Sequence, residues 1–385
     1  MKKRHIFYYR LLRPLVVLFL IIRFGYRFKY AKNLPENYIV ISNHTTNYDM
    51  LLVGACFPRQ MYFVSSEHIA RWKRVYKLID YLFAPIIRHK GASAGGAVMD
   101  ILRKTKKGKN VCLFAEGVRS WDGRTCPILP STAQLIKSAG CGLVTFRIQG
   151  GYFASPMWCG SQIRRGPLSG GMVRSFTKEQ LSGMTVEEIY EAINTDLYED
   201  AYERQLKAPK KYRCKRPAEH LETLLFICPA CGARDSITSE GKIAKCTCCQ
   251  HTMEIDAYGM LHGSRFQTVR ELSDWQKECL RRDVESNLPY TAEDIEIYEI
   301  EKHTETLCSK GRAVMDCNSF TCGDLQFRMS DVTDLAMHDQ RAVVFTADKH
   351  YYELKSMHSN ALKFMLYYTE CKSLAKETAP QLTNH

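Results

Sequence analysis

A histidine and an aspartate stand five residues apart in the stretch N-H-T-T-N-Y-D, residues 43–49, directly after the apolar run Y-I-V-I-S. A histidine can take up a proton near neutral pH, and a carboxylate bonded to its second ring nitrogen fixes the tautomer that does so. His44 and Asp49 therefore suit general base catalysis at the end of a strand. The alternative is an ordinary turn and helix cap, where Asn, Thr and Asp are common.

A second group of polar residues follows another apparent strand. The stretch L-F-A-E-G-V-R-S-W-D-G-R-T comes after N-V-C-L-F, so Glu116, Gly117 and Arg119 should project from the carboxyl end of that strand. Open α/β sheets bind ligands at such ends. The short apolar run A-P-I-I-R ends similarly, at Arg88. We therefore expect three strand ends to present these side chains and the His44 pair to one mouth.

Two cysteine-rich turns form a third constellation. C-P-A-C at 228–231 and C-T-C-C at 246–249 are separated by fourteen residues. Two such turns joined by a hairpin-length loop can place four thiolates around one ion, which predicts a structural zinc ribbon. Iron in a similar four-sulfur site and reduced cysteines without metal are the alternatives. If both turns keep two residues between their cysteines, the predicted ligands are Cys228, Cys231, Cys246 and Cys249, and Cys248 is not a ligand.

The elements that must position these residues follow from the hydrophobic pattern. From Tyr38 onward, short apolar runs alternate with longer helical ones, which predicts an α/β domain with a largely parallel sheet. The segment 206–217 has six basic residues, two prolines and no acid, as is typical of a solvated linker. Beyond the ribbon, repeated β runs and a final helix, A-L-K-F-M-L-Y-Y, predict a small barrel-like α+β domain similar to the pleckstrin-homology class.

Charge and cysteine content limit the possible partners. The net charge of +13 is divided unevenly: residues 1–216 hold 36 basic and 15 acidic residues, whereas 217–385 hold 18 and 26. A zinc ribbon and a pI near 9.0 also fit a nucleic-acid-binding protein. We disfavour that class because the half with the ribbon is net acidic. Sixteen cysteines without a secretory cleavage pattern indicate a reducing, cytosol-facing location.

The first 30 residues carry eight Lys or Arg and no acid. Their uninterrupted apolar stretch, 14–22, would span only about 14 Å as a helix, roughly half of a hydrocarbon core. We therefore expect an interfacial helix rather than a crossing one, or, alternatively, a helix packed on the protein's own core. A signal peptide is disfavoured because Arg and Tyr occupy its cleavage region. The side chains expected to meet anionic headgroups are Arg10, Arg13, Arg23 and Arg27.

Together, these motifs resemble those of the glycerolipid and lysophospholipid acyltransferases, the family of the 1-acylglycerol-3-phosphate acyltransferases. Its first motif, Asn-His, four residues, Asp, is matched by Asn43, His44 and Asp49, and its second, an apolar segment ending in arginine, by Arg88. Its third, Phe-Pro-Glu-Gly-Thr-Arg-Ser, is matched by Phe114, Glu116, Gly117, Arg119 and Ser120. The likeness covers about residues 10–205; Ala115 replaces the usual proline, and 142–148 lacks the proline of a fourth motif.

The resemblance implies transfer of a fatty acyl group from a thioester, acyl-CoA or acyl carrier protein, to a lysophospholipid hydroxyl. The expected acceptor is 1-acylglycerol 3-phosphate, giving phosphatidic acid, with glycerol 3-phosphate and other lysolipids left open. His44 would be the base and Asp49 its partner; Arg88 and Arg119 would grip the phosphate. Glu116, Gly117 and Ser120 would bind the acceptor or shape its pocket. Backbone N–H groups near His44 or Glu116 would stabilise the oxyanion. An inactive lipid-docking relative is the alternative.

These observations predict a chain of five parts on the cytoplasmic face of a membrane with anionic lipids. The parts are a membrane-associated helix (1–30), an acyltransferase domain (31–205), a basic linker (206–221), a zinc ribbon (222–258) and a C-terminal β-rich domain (259–385).

Overall fold

The computed structural model describes residues 3–67, 69, 73–88, 95–160, 162–301, 304–356 and 361–378. The chain divides into two compact units. Among the described residues, unit 1 comprises those up to Lys215 together with Ala257–Gly259, and unit 2 comprises Arg216–Asp256 and those from Met260 onward. The first two residues of the predicted N-terminal helix and the last seven of the predicted C-terminal domain lie outside the described residues.

Unit 1 alternates helices and strands. Its helices are α1 (Lys3–Phe24), α2 (Asp49–Cys56), α3 (Lys73–Phe83), α4 (Gly95–Lys106), α5 (Ser131–Ala139), α6 (Gly151–Ala154), α7 (Lys178–Gly183), α8 (Val186–Leu197) and α9 (Ala201–Lys207). Its strands are β1 (Tyr26–Phe28), β2 (Tyr38–Ser42), β3 (Met61–Ser66), β4 (Ile86–Arg88), β5 (Asn110–Phe114), β6 (Gly142–Gln149) and β7 (Leu168–Phe176).

The strands of unit 1 form one sheet in the order β1-β7-β6-β2-β5-β3-β4. All neighbours are parallel except β6 and β7, which are antiparallel. The predicted α/β domain with a largely parallel sheet is confirmed. The sequence pattern had not indicated β1 or β7, which extend the sheet beyond β6.

The core lies on both faces of this sheet. Every residue of β2 is buried, and its side chains alternate between two hydrophobic clusters: Ile39 and Ile41 belong to one, Tyr38 and Val40 to the other. Successive strand side chains point to opposite faces, so a strand covered on both sides must be apolar throughout. Burial on both faces of the sheet therefore explains the continuous apolar run Y-I-V-I in β2.

Helix α1 is held to unit 1 along one side. The Tyr9 hydroxyl donates to the backbone oxygens of Gly54 (2.6 Å) and Phe57 (2.8 Å) at the end of α2. Arg13 donates from Nε and Nη2 to the oxygen of Ala55 (3.2 and 2.8 Å) and lies over the ring of Tyr30. Arg13 was predicted to meet lipid headgroups; the structure instead places it at the negative end of α2.

The other side of α1 is apolar and exposed. Its side chains recur every three or four residues along one face and are each more than half exposed: Phe7, Leu11, Leu15, Leu18 and Ile22. The helix has 22 residues and a mean hydropathy of 1.7 over an 18-residue window. At about 1.5 Å per residue it is roughly 33 Å long, so it could cross a membrane by length and composition. The helix extends well beyond the apolar run, so the length of that run alone does not exclude crossing, and the interfacial helix stays a prediction.

Unit 2 is mostly β structure. Its strands are β8 (Ile237–Glu240), β9 (Ile243–Cys246), β10 (Thr252–Ile255), β11 (Leu261–His262), β12 (Tyr290–Glu301), β13 (Thr304–Met315), β14 (Ser319–Cys322), β15 (Leu325–Arg328), β16 (Thr333–Met337), β17 (Ala342–Ala347) and β18 (His350–Ser356). Its helices are α10 (Val269–Glu285) and α11 (Ala361–Thr378).

These strands form two antiparallel sheets. The smaller has the order β11-β10-β9-β8, and the larger has the order β15-β14-β13-β12-β18-β17-β16 and curls into half a barrel. Helix α11 covers the larger sheet: Phe364 packs on Phe320 with ring centroids 4.9 Å apart. The predicted β-rich domain with a terminal helix is present, and its likeness to the pleckstrin-homology class stays a prediction. A disulfide joins Cys317 to Cys371, so the expectation of reduced cysteines does not hold for this pair.

The basic segment 206–221 is not wholly solvated. Tyr212 is 2% exposed and donates its hydroxyl to the oxygen of Pro167 (2.9 Å) within unit 1. Ala218 and Leu221 are fully buried. The lysine and arginine side chains of this segment are exposed, whereas Tyr212, Ala218 and Leu221 are buried. The amino-acid composition of a segment does not show which of its residues are buried.

Candidate active site

Two adjacent parallel strands bring the first and third motifs to the same level. In the register of β2 and β5, Ser42 is paired with Phe114, so His44 and Glu116 each follow the pair by two residues. The Asn43 amide ties the end of β2 to the end of β6: Nδ2 donates to the oxygen of Ile148 (2.9 Å), and Oδ1 accepts from its N–H (2.7 Å). The loop that carries His44 thus begins at a fixed point.

The structure brings His44 and Asp49 together as the sequence predicts. His44 Nδ1 lies 2.8 Å from Asp49 Oδ2. Asp49 is the first residue of α2, so the intervening loop folds its carboxylate back onto the imidazole. With a proton on Nδ1, Nε2 is left as the acceptor nitrogen, as a general base requires.

The Asp49 carboxylate is almost completely buried and is held by the loop itself. Its Oδ2 accepts from the N–H of Thr45 (2.6 Å), and its Oδ1 accepts from the N–H and hydroxyl of Thr46 (3.0 and 2.6 Å). Asp49 is 1% exposed and lies at the positive end of α2. Donors from the loop therefore fix the carboxylate before any substrate binds.

The imidazole of His44 is restrained on a second side. Its ring stacks on Phe114 with centroids 4.6 Å apart and an interplanar angle of 22°. The side chain is 25% exposed, whereas that of Asp49 is fully buried. The buried carboxylate and the stacked aromatic ring restrain the imidazole, which stays partly exposed.

Glu116 links two loops through its carboxylate. Its Oε1 accepts from the N–H of His44 (2.6 Å), and its Oε2 accepts from the N–H of Cys126 (2.5 Å). Burial raises the pKa of this carboxyl from its usual 4.5 to about 8, against the opposing effect of the two N–H donors. The folded state therefore holds this proton more tightly than the unfolded chain does. The contribution of Glu116 to the free energy of unfolding is therefore fully present below about pH 4.5, and it is lost as the pH rises through about 8.

Arg119 is placed differently from its predicted role. It is 7% exposed, and its N–H groups donate to the oxygen of Thr45 (3.3 Å), Asn47 Oδ1 (2.9 Å) and the oxygen of Ser155 (2.5 Å). A guanidinium committed to three protein acceptors braces the loop that carries His44. This geometry favours a positioning role over the phosphate-binding role predicted from the motif.

The remaining motif residues divide into an exposed cation and buried supports. Arg88 ends β4 and is exposed, and a Cβ on Gly117 would lie 3.2 Å from its Nη1. Gly117 has φ +69°, which favours glycine and leaves room for this guanidinium. Ser120 is 3% exposed; its N–H donates to the oxygen of His44 (3.2 Å) and its hydroxyl accepts from the N–H of Gly123 (2.9 Å). Arg88 is thus the motif arginine available to an anion.

The loop also limits where an oxyanion can be stabilised. The backbone N–H of His44 donates to Glu116, and those of Thr45 and Thr46 donate to Asp49. These three donors are occupied, so the predicted oxyanion site cannot be formed from them in this arrangement.

An apolar cavity of about 200 Å³ lies beside the helix that carries Asp49. Its walls come from α1, α2, β3 and α3 and include Met50 and Leu51, which directly follow Asp49. The lining is almost entirely aliphatic and aromatic. Such a cavity suits a hydrocarbon chain.

Several residues that shape the site were not assigned roles from the sequence. Thr45 and Thr46 lie inside the quoted motif, where their spacing from Asp49 could have indicated capping hydrogen bonds. Asn47 and Ser155 are acceptors for Arg119, and the partner of Asn43 is a backbone group over a hundred residues away. No local signal identifies such distant partners.

The four cysteines predicted as metal ligands also come together, in unit 2. Their sulfur atoms all lie within 4.8 Å of one another, and Cys248 is outside the group.

Comparison with known proteins finds a family match for part of unit 1. Residues 26–149 match the family model described as Acyltransferase. A solved structure, the 1-acyl-sn-glycerophosphate (LPA) acyltransferase PlsC from Thermotoga maritima, is similar at 18% sequence identity and a TM-score of 0.42, over 52% of this chain and 80% of that one. No curated protein sequence matches the chain.

Proposed function

We propose that this chain, whose residues 26–149 match the acyltransferase family model, moves a fatty acyl group from a thioester to the hydroxyl of a lysophospholipid. The observation that carries this proposal is the bond between His44 Nδ1 and Asp49 Oδ2, made by a carboxylate whose remaining lone pairs are engaged by the loop. That pair supplies a fixed general base beside an apolar cavity.

The reaction follows from this geometry. The acceptor hydroxyl gives its proton to His44 Nε2 as its oxygen attacks the thioester carbonyl, and Asp49 stabilises the resulting imidazolium. When the tetrahedral intermediate collapses, the carbon–sulfur bond breaks and the proton passes from the imidazolium to the departing thiolate. The histidine ends in its starting state, so no external oxidant or reductant takes part. The donor is the thioester of coenzyme A or of acyl carrier protein.

Arg88 supports a phosphate-bearing acceptor. Its guanidinium is exposed and lies next to Gly117 at the mouth where β2 and β5 end. Guanidinium groups match phosphate oxygens in paired hydrogen bonds. We therefore propose a phosphate-bearing acceptor, 1-acylglycerol 3-phosphate, with phosphatidic acid as the product.

The apolar cavity supports the lipid part of the substrate. Met50 and Leu51 place one wall directly after Asp49, so a chain lying there would have its carbonyl end near the base. Burial of each methylene contributes about 0.8 kcal/mol, so even partial insertion of a fatty chain adds substantially to binding.

The exposed apolar face of α1 supports the proposal that the protein binds a membrane. Its apolar side chains face outward while Tyr9 and Arg13 anchor the opposite side to α2. Arg10 and Arg23 are exposed on the same helix and would meet anionic headgroups at the cytoplasmic face. Vesicle flotation tests this: the double variant Leu15→Glu, Leu18→Glu should lose binding to anionic vesicles. Unchanged flotation of a folded double variant would refute this docking face.

One assay tests the proposed reaction. The purified chain is given labelled acyl-CoA or acyl carrier protein thioester with lysophosphatidate, glycerol 3-phosphate, lysophosphatidylcholine or monoacylglycerol. We expect transfer to lysophosphatidate to be fastest, and the acceptor without phosphate to be poorest. Absence of transfer to every acceptor from both donors would favour an inactive lipid-docking relative.

His262 offers a matched control for the base. It also pairs with an aspartate, with Nε2 2.9 Å from Asp256 Oδ2, but it is exposed and lies in unit 2. His262→Ala should keep transfer, whereas His44→Ala should lose it. Equal losses in the two variants would contradict the assignment of His44.

A further inference from the structure

The four clustered sulfur atoms have the spacing of a tetrahedral metal site. Cys228 Sγ lies 3.7 Å from Cys249 Sγ, and Cys231 Sγ lies 3.8 Å from Cys246 Sγ. A metal–sulfur distance of about 2.3 Å in a tetrahedron requires sulfurs about 3.8 Å apart. A disulfide requires about 2.05 Å. The cluster therefore has the dimensions of a four-thiolate site.

The two turns that supply these sulfurs are built alike. In each turn the first and the last cysteine belong to the cluster: Cys228 and Cys231 in the first turn, Cys246 and Cys249 in the second. The same arrangement on both sides gives the cluster an internal symmetry.

Each turn also closes through the same backbone bond. The N–H of Gly232 donates to the oxygen of Cys228 (2.9 Å), and that of Gln250 donates to the oxygen of Cys246 (3.0 Å). Both donors have positive φ, +72° and +62°. Because Gln250 adopts this conformation without being glycine, the turn is imposed by its surroundings rather than by backbone freedom.

We propose that Cys228, Cys231, Cys246 and Cys249 hold one zinc ion, and that this ion anchors the helices of unit 2. Four thiolates fill a tetrahedral site and leave no position for water or substrate, so the ion is structural. This proposal does not depend on the acyl transfer proposed above.

The anchoring follows from polar contacts around the first turn. The buried side chain of Gln276, on α10, accepts from the N–H of Phe226 (2.9 Å) and donates to the oxygen of Leu224 (2.7 Å). Both ends of a buried amide are thus committed to the segment that enters the turn. Removal of either partner would leave a buried polar group without a hydrogen bond.

Two ion pairs hold the other side of the same turn. Arg234 makes a two-bond pair with Asp283 of α10, with Nε 2.9 Å from Oδ2 and Nη2 bonded to Oδ1. Lys363 of α11 lies 2.6 Å from Asp235. Lys363 is only 4% exposed. Displacement of Asp235 would therefore take this carboxylate away from a buried ammonium group, which is destabilising.

Loss of the metal should therefore destabilise elements beyond the turn. Without the ion, the turn loses the constraint that holds residues 226–235 in register with both helices. Helix α11 packs on the larger sheet through Phe364 and Phe320. We expect the strands of that sheet to lose protection when the metal is removed.

Metal content of the full-length protein is the first test. Wild-type protein should contain about one zinc per chain, the double variant Cys228→Ser, Cys231→Ser almost none, and the control Cys248→Ser as much as wild type. Stoichiometric iron instead of zinc, absence of stoichiometric metal, or metal loss in Cys248→Ser equal to that in the double variant would each overturn the assignment.

Hydrogen exchange of the wild-type protein tests the anchoring even if the double variant fails to fold. A strong chelator should increase exchange in Tyr290–Ser356 and in α10, and added zinc sulfate should restore protection. Cobalt added to the stripped protein should produce sulfur-to-metal charge-transfer absorption. If metal removal leaves exchange in these elements unchanged, the ion does not anchor them.

Discussion

Replacing Asp49 with asparagine tests how the carboxylate serves His44. The amide has one oxygen and one NH₂ group, so only one of the two carboxylate positions can still accept hydrogen bonds. At Oδ2 an NH₂ group would face two donors, the Thr45 N–H and His44 Nδ1. At Oδ1 it would face the hydroxyl of Thr46, which can reverse to accept, and the N–H of Thr46, which lies equally close (3.0 Å) to the oxygen kept at Oδ2. The second orientation is therefore favoured.

This orientation sets the magnitude of the effect. His44 keeps its tautomer because an oxygen still faces Nδ1, but the imidazolium loses its anionic partner. Removing one charge of a buried pair costs about 3 kcal/mol, which corresponds to a loss of roughly 10²-fold in kcat. A histidine forced into the wrong tautomer would cost roughly 10⁴-fold. The fold should lose only about 1 kcal/mol, since most hydrogen bonds at this position are kept.

The assay is turnover at saturating acceptor, together with denaturant unfolding to confirm the folded population. Asp100→Asn is the matched control, because Asp100 undergoes the same chemical change but its side chain is 51% exposed. A folded Asp49→Asn enzyme with kcat within about twofold of wild type would refute the reasoning, because the buried charge would then contribute nothing. A loss of roughly 10⁴-fold would show that the amide takes the other orientation.

Three further predictions concern the supports of the site and its cavity. Arg119→Lys should lower thermal stability and kcat and leave the acceptor KM unchanged, because lysine cannot reach the three acceptors at once. A change in the acceptor KM alone would instead indicate that Arg119 binds the phosphate. Glu116→Gln should flatten the fall in unfolding free energy between about pH 5 and pH 8; an equal slope in both proteins would contradict the raised pKa. Leu51→Trp should shift preference toward shorter acyl donors, with Leu78→Trp as an exposed control outside the cavity; unchanged chain preference in Leu51→Trp would exclude the cavity as the acyl site.

Spacing within short motifs predicted contacts that local geometry can enforce. A five-residue offset between His44 and Asp49 is closed by one loop and the first residue of a helix, and both C-x-x-C turns hold their cysteines locally. Strands with strong apolar patterns, such as β2 and β5, were likewise visible. These features depend on side-chain periodicity and on turns of a few residues.

Features that depend on distant partners were not visible. The motif marked Arg119 as important but could not show that Asn47 and Ser155 accept its hydrogen bonds. Strand β7 carries Gly170, where a Cβ would lie 2.3 Å from the Tyr26 hydroxyl, so close packing between strands rather than β propensity determines its sequence. The disulfide between Cys317 and Cys371 joins residues 54 apart, and no spacing rule indicates it.

The C-terminal unit shows the same division. Five strands of its larger sheet, β12, β13, β15, β17 and β18, and helix α11 were predicted from alternating or helical patterns, but β14, β16, α10 and the short strands β8–β11 were not. Helix α10 buries polar residues such as Gln276, which is fully buried and bonded to the cysteine turn. Apolar periodicity does not explain the polar part of this buried face, so its hydrogen-bond partners must be known before the helix can be explained.

The most direct test of the central claim is single-turnover acyl transfer by wild-type protein and His44→Ala. Labelled acyl-CoA and lysophosphatidate are mixed with excess enzyme, and phosphatidic acid is measured by mass spectrometry. Loss of the base should slow product formation by roughly 10²- to 10⁴-fold, while His262→Ala remains at the wild-type rate. Phosphatidic acid formed at the wild-type rate by folded His44→Ala would contradict the claim that this histidine takes the acceptor's proton.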